Sequence, residues 1–173
     1  LIAVTGEFGK TSAALRLLSS GLTVPRSLKR VLLESIYMPK ARLTEGMALA
    51  RARVTTASMD SSDGLAWSLY EIARGSGVGI ELEEVPIAQS AIDYARKADL
   101  DPLDLALYGG EEYELVMSLK KNGYRKALRV APSLRVVGKV TRKNSIVTLA
   151  RDGERTPIKP IGWEHFKSSL PHP

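Results

Sequence analysis

No cysteine occurs in the 173 residues. That excludes a disulfide framework, a thiolate metal site and a cysteine nucleophile. The two histidines, His165 and His172, leave too little imidazole for a His-rich zinc site or a Ser-His-Asp triad. No apolar run approaches the ~20 residues of a membrane span, and the first residues lack the basic-then-apolar layout of a secretory signal. A soluble, cytosolic protein without a membrane partner is the expectation. The chain opens on Leu1 inside a strand pattern, so an excised domain of a longer protein is expected, with 1–173 forming one domain.

What is present is charge, and it is sorted along the chain. Residues 1–57 carry 9 Lys/Arg against 3 Asp/Glu, residues 58–114 carry 3 against 13, and residues 115–173 carry 13 against 3. Basic flanks suit a nucleic-acid binder, but aromatics make up only 6% and no recognition motif accompanies them. Nucleic acid is therefore disfavoured as a partner. An acidic centre between basic flanks suits a divalent metal with phosphorylated ligands better.

Strand and helix signals alternate throughout. Leu1 to Thr5 reads as a strand, followed by a sharp turn on Gly6 and Gly9 and a helix from near Thr11. Leu28, Val31, Leu32 and Ile36 fall at helical spacing before Pro39, and Thr44 is placed to cap a helix through Ala50. Arg53 to Met59 reads as a strand, and Gly64 to Ser76 as a helix ended by Gly77. Val78, Ile80 and Leu82 predict a half-exposed strand. Ala88 to Ala95 predicts a helix with Asp93 and Lys97 paired, and Asp101-Pro102 starts another to Tyr108. Glu112 to Leu119 reads as a strand, Lys121 to Val130 as a helix, and the LRVVGKV and SIVTLA segments as two last strands, possible partners across Arg142 to Asn144. Thr156 to Pro173 reads as a tail. The class is α/β (α+β), a mixed sheet with helices packed on it.

Three stretches carry the chemistry. Asp60, Ser61, Ser62 and Asp63 fill the turn between a strand and a helix. Two carboxylates there are hard oxygen ligands of the kind Mg²⁺ takes, and Ser62 offers a hydroxyl and an N–H to a phosphate. The alternative is that these residues simply cap the helix. In YGGEEYEL, Gly109 and Gly110 permit a bend and Glu111, Glu112 and Glu114 follow, two of them expected in solvent. Three acids beside an acidic turn repel unless a cation lies among them; the alternative is a plain Gly-Gly turn with a charged strand entrance. In IGWEHF, Trp163 offers either a stacking face or a latch for the C-terminus. The Gly-Lys-Thr at residues 9–11 is not a nucleotide-hydrolase phosphate loop, because only two residues separate Gly6 from Gly9 and no acidic partner for Lys10 and Thr11 is evident.

Taken in order, Val4 to Gly9, Asp60 to Leu65, Gly109 to Leu115, Val137 to Val140 and Gly162 to Phe166 resemble the successive motifs of the C-terminal domain of thiamine-monophosphate kinase. That family lies in the superfamily of aminoimidazole ribonucleotide synthetase. The resemblance implies transfer of the γ-phosphoryl group of ATP onto thiamine monophosphate with Mg²⁺. It implies Asp60 and Asp63 as metal ligands, Ser62 as an ATP-phosphate contact, and Glu111 and Trp163 as contacts to the thiamine phosphate. It also implies an N-terminal domain that supplies further ligands and a dimer contact, without which this chain is expected to be inactive. Glu112 replaces the family's usual Asp, and Lys10 stands where an acid is common. A stand-alone binding module for phosphorylated ligands and another member of the same superfamily are the competing readings. The absence of cysteine weighs against several of the latter.

Overall fold

A computed structural model describes residues 1–142 and 146–162. Seven strands form one sheet: β1 (Ile2–Val4), β2 (Thr55–Asp60), β3 (Gly79–Leu82), β4 (Leu115–Leu119), β5 (Arg135–Thr141), β6 (Val147–Arg151) and β7 (Glu154–Pro157). Their spatial order is β2-β4-β1-β5-β3-β6-β7. Every neighbouring pair is antiparallel except β3 with β6. The sheet is thus mixed, as expected. The helices are α1 (Lys10–Ser20), α2 (Arg26–Tyr37), α3 (Leu43–Ala52), α4 (Leu65–Ser76), α5 (Gln89–Ala98), α6 (Pro102–Tyr108) and α7 (Tyr124–Val130).

Side-chain alternation in β1 divides the core. Ile2 and Val4 face a cluster with Leu65, Leu69 and Ile72 of α4, while Ala3 faces Leu49 of α3 and Ala127 of α7. A third cluster lies among α1, α2, α5 and α6, around Tyr94, Leu32 and Leu105. Between these layers β1 is fully buried. Its ends therefore fix where the following turn meets the rest of the chain.

Several local expectations hold. Gly77 closes α4 in a left-handed conformation, and the Asp101 side chain accepts from the Leu103 N–H at 2.8 Å. Others are corrected. Thr44 lies inside α3, whose cap is Arg42. Asp93 pairs with Arg96 and accepts from Gln89 instead of pairing with Lys97. Strand β3 is buried on both faces, because Lys139 and Arg155 fold over Glu81 on the side away from α4. Strands β5 and β6 do not pair with each other; each pairs with β3 from opposite sides. The start of the tail forms β7, whose all-exposed residues carry no apolar signal.

Candidate functional site

Strand β2 ends on Asp60, and α4 begins at Leu65 with Gly64 as its cap and no side chain bonded to the helix start. Among the described residues, then, no side chain of the acidic turn makes a capping hydrogen bond to the start of α4. Asp60 is exposed, Asp63 is half-buried and Ser61 is fully buried. Gly64 has φ 103, and a Cβ there would lie 2.9 Å from the Gly109 carbonyl oxygen. The acidic turn and the Gly-Gly turn consequently touch through backbone alone.

Hydrogen bonds splice the two motifs together. Ser61 N–H donates to the Glu114 carbonyl at 2.9 Å, Glu114 N–H donates to Ser61 Oγ at 3.1 Å, and Glu111 N–H donates to the Ser62 carbonyl at 2.7 Å. Ser62 and Glu111, the two residues expected to meet phosphate and substrate, are thereby brought side by side. The connecting backbone is unusual: Glu111 (φ 64) and Tyr113 (φ 55) both occupy the left-handed region. Each such residue costs roughly 1–3 kcal/mol and persists only where its surroundings enforce it. Tyr113 thus lies in the loop and not in β4, which begins at Leu115. Its hydroxyl donates to the Glu111 carboxylate, which raises the Tyr113 pKa, with burial and the nearby Asp60 charge adding to the shift.

The three glutamates have three different fates. Glu114 is buried, not solvated, and takes a two-pronged bond from Arg42, Nε to Oε2 and Nη2 to Oε1, both at 2.8 Å. Thr5 Oγ1 adds a third donor at 2.6 Å. This guanidinium is the cation that answers Glu114. Removing one partner from such a pair typically costs about 3–5 kcal/mol. Glu112 points the other way, accepting from Gly9 N–H at 2.7 Å, Thr11 N–H at 3.1 Å and Thr11 Oγ1 at 3.4 Å at the start of α1. The Gly-Lys-Thr turn does have an acidic partner, then, about a hundred residues further along. Burial nonetheless pushes the Glu112 carboxyl up to about 7 against the pull of those donors.

Two concavities flank the Arg42–Glu114 pair. One, of about 510 Å³, is lined by Leu43, Met47, Ala50, Leu115, Asp60 and Tyr113, an apolar groove with a carboxylate at its rim. The other, of about 250 Å³, is lined by Lys10, Thr11, Lys40 and Glu112, with Arg42 forming part of both walls. Trp163 lies outside the described residues. The preceding Gly162 packs on Asp63 and Trp67: a Cβ on it would sit 2.9 Å from the Asp63 carbonyl oxygen.

Neither Asp60 nor Asp63 is paired with a basic side chain among the described residues. No cluster of three ligating side chains occurs among those residues either. Two carboxylates without a basic partner are hard oxygen donors of the type Mg²⁺ takes, an ion that keeps waters and substrate phosphates as its remaining ligands. Sequence reasoning missed Arg42 and gave Thr5 and Ser61 no role of their own. Arg42 sits 72 residues from its partner, beyond any local pattern. Glu114 did carry a signal, since it is two residues before the inward-facing Val116.

A mixed seven-stranded sheet with helices on both faces makes this an α/β domain. The chain matches the family described as AIR synthase related protein, C-terminal domain, over residues 2–150, and it belongs to that family. Within it, the chain is similar to thiamine-monophosphate kinases: 34% identical to that of Pyrococcus horikoshii over 170 residues, covering 96% of this chain and 50% of that protein. It is likewise 34% identical to that of Nitrosopumilus maritimus over 171 residues, covering 96% and 53%. The solved structure AaThiL complexed with AMPPCP and TMP superposes with a TM-score of 0.79 at 29% identity, covering 95% of this chain and 50% of that one. The hydrogenase maturation protein HypE from E. coli, at 19% identity and a TM-score of 0.72, shares the fold. The chain spans about half the length of the curated relatives it matches.

Proposed function

We propose that this chain is the C-terminal half of a thiamine-monophosphate kinase, which transfers the γ-phosphoryl group of ATP to thiamine monophosphate. The observation that carries the reading is the splice of Ser61 and Ser62 to Glu111 and Glu114, which turns two distant acidic motifs into one rim. Support comes from relatives named for this activity and from the AaThiL complex with AMPPCP and TMP.

In this reading Asp60 and Asp63 hold Mg²⁺, and the Ser62 hydroxyl and N–H meet an ATP phosphate. The metal supplies charge neutralisation to the transferring phosphoryl group and its leaving oxygen. The acceptor phosphate is already a nucleophile, so no side chain need remove a proton and the protein's task is alignment. Glu111 offers its carboxylate to the cationic thiazolium, and Trp163 an aromatic face. The acidic rim repels the phosphates of both ligands, so a cation that screens them would be needed for either to approach.

With two metal-ligating carboxylates and half a rim, the 173-residue chain alone is catalytically silent. An N-terminal domain provides the remaining ligands, and the complete protein is a homodimer. Mixing this chain with ATP, Mg²⁺ and thiamine monophosphate is expected to give no thiamine diphosphate, whereas the chain joined to its N-terminal domain gives turnover. Appreciable turnover by the isolated chain would refute this division of labour.

A further inference from the structure

We propose that Arg42 is a positioning residue for the acidic rim, acting through Glu114 and Ser61 to hold Glu111 against the Asp60–Asp63 turn. This rests on the functional reading above for its kinetic consequence, though not for its structural one. The Glu114 carboxylate is gripped on one side by the Arg42 fork and on another by Thr5. Gly6 closes the third side, since a Cβ there would collide with the Glu114 carboxylate. The main chain of the same glutamate exchanges two bonds with Ser61. A carboxylate held on three sides, in a residue whose main chain is also bonded to Ser61, limits how far that backbone can shift, so the grip of Arg42 is transmitted to Ser61, whose chain neighbours are Asp60 and Ser62. Ser62 in turn holds Glu111 through its carbonyl.

The left-handed backbone at Glu111 and Tyr113 explains why a clamp is required. A strained loop relaxes once the anchor at its end is loosened, and the anchor here is Glu114. Arg42 is itself fixed by Glu45 in the first turn of α3, at 3.2 Å, so the support comes from a packed helix and not from a free side chain. A lysine cannot reproduce the fork: it offers a point charge where two parallel bonds are needed.

The test uses Arg42→Lys, Arg42→Met, and Arg42→Met combined with Glu114→Gln, which removes both charges of the pair. Hydrogen exchange is read on this chain, and kinetics on the chain joined to its N-terminal domain. In Arg42→Lys, the amides of Ser61, Glu111 and Glu114 are expected to exchange about tenfold faster while those at the centres of β1 and β4 keep their rates. The KM for thiamine monophosphate is expected to rise about tenfold with kcat nearly unchanged. The double variant is expected to recover the thermal midpoint lost in Arg42→Met while keeping the raised KM. The proposal is overturned if those three amides keep their protection, if β1 and β4 lose theirs equally, or if the double variant restores KM along with the midpoint. Should the joined protein make no thiamine diphosphate at all, the functional reading fails, and the exchange rates alone decide the positioning role.

Discussion

At Glu112, burial and hydrogen bonding pull in opposite directions. Three donors at the start of α1 favour the carboxylate, yet desolvation outweighs them and raises the group from 4.5 to about 7. A carboxyl raised in the fold contributes stability that is fully present below about pH 4.5 and is lost as pH rises through about 7. The loss is of the order of 1.4 kcal/mol per pH unit across that window. Glu112→Gln keeps an acceptor oxygen without the charge, so its unfolding midpoint in urea should stay nearly flat between pH 5 and 7.5 where that of the parent declines. A parallel decline in both proteins would place the titrating group elsewhere. None of this was legible locally. The charge of Glu112 is plain in the sequence, but that it turns to α1 while Glu114 turns to Arg42 depends on two left-handed residues no pattern announces. Asp60, Ser62 and Asp63, by contrast, were legible as a group, because a strand signal, a polar turn and a helix signal follow one another directly.

Helices and strands meet around the site through contacts that tolerate no side chain. Gly64 starts α4 where α6 ends at Gly109, with the Gly109 carbonyl where a Cβ would go. Gly64→Ala combines that clash with a positive φ and is expected to destabilise by about 2 kcal/mol or more, read as a lowered urea midpoint. An effect below about 0.5 kcal/mol would mean the two turns are free to separate. On the far side of the sheet, Glu81 ties β3 to Lys139 of β5 and Arg155 of β7. Those cations hold its carboxyl down at about 2. A depressed carboxyl contributes stability above about pH 4.5 that is lost as pH falls toward 2, the reverse of Glu112. Glu81→Gln should therefore free the amides of β7 to exchange sooner than those of β3 or β5, and unchanged β7 protection would show the ladder to β6 is sufficient. The sequence pattern found β3 from its alternating apolar residues, but its second buried face is made by two long cationic arms from elsewhere. Strand β7 has no apolar residue at all before Pro157 and could not be read.

Over the whole molecule, part of the charge pattern that suggested a divalent metal with phosphorylated ligands is met within the chain itself. Arg42 of the basic first segment pairs with Glu114 of the acidic centre, and Lys139 and Arg155 of the basic last segment pair with Glu81. Oppositely charged blocks of sequence are thus brought together by the fold. The core is equally collective: Leu69, fully buried between α4 and the sheet, lies in the cluster that also holds Ile2 and Val4. Leu69→Ala is expected to cost about 2–5 kcal/mol, measured by equilibrium unfolding, and a loss under 1 kcal/mol would contradict that packing. Fold class was legible because helix and strand periods alternate cleanly. Topology was not, since β3 recruits β5 and β6 on either side and no local signal states which strand finds which. The central claim is that the acidic turn at the end of β2 holds the metal used in phosphoryl transfer. It is tested most directly by measuring Mg²⁺-dependent formation of thiamine diphosphate from thiamine monophosphate and ATP, with this chain joined to its N-terminal domain and with the Asp60→Asn, Asp63→Asn double variant of it. The account predicts turnover in the first and a loss of about a hundredfold or more in the second, in a protein that still unfolds cooperatively. Turnover unchanged by the two substitutions would contradict it.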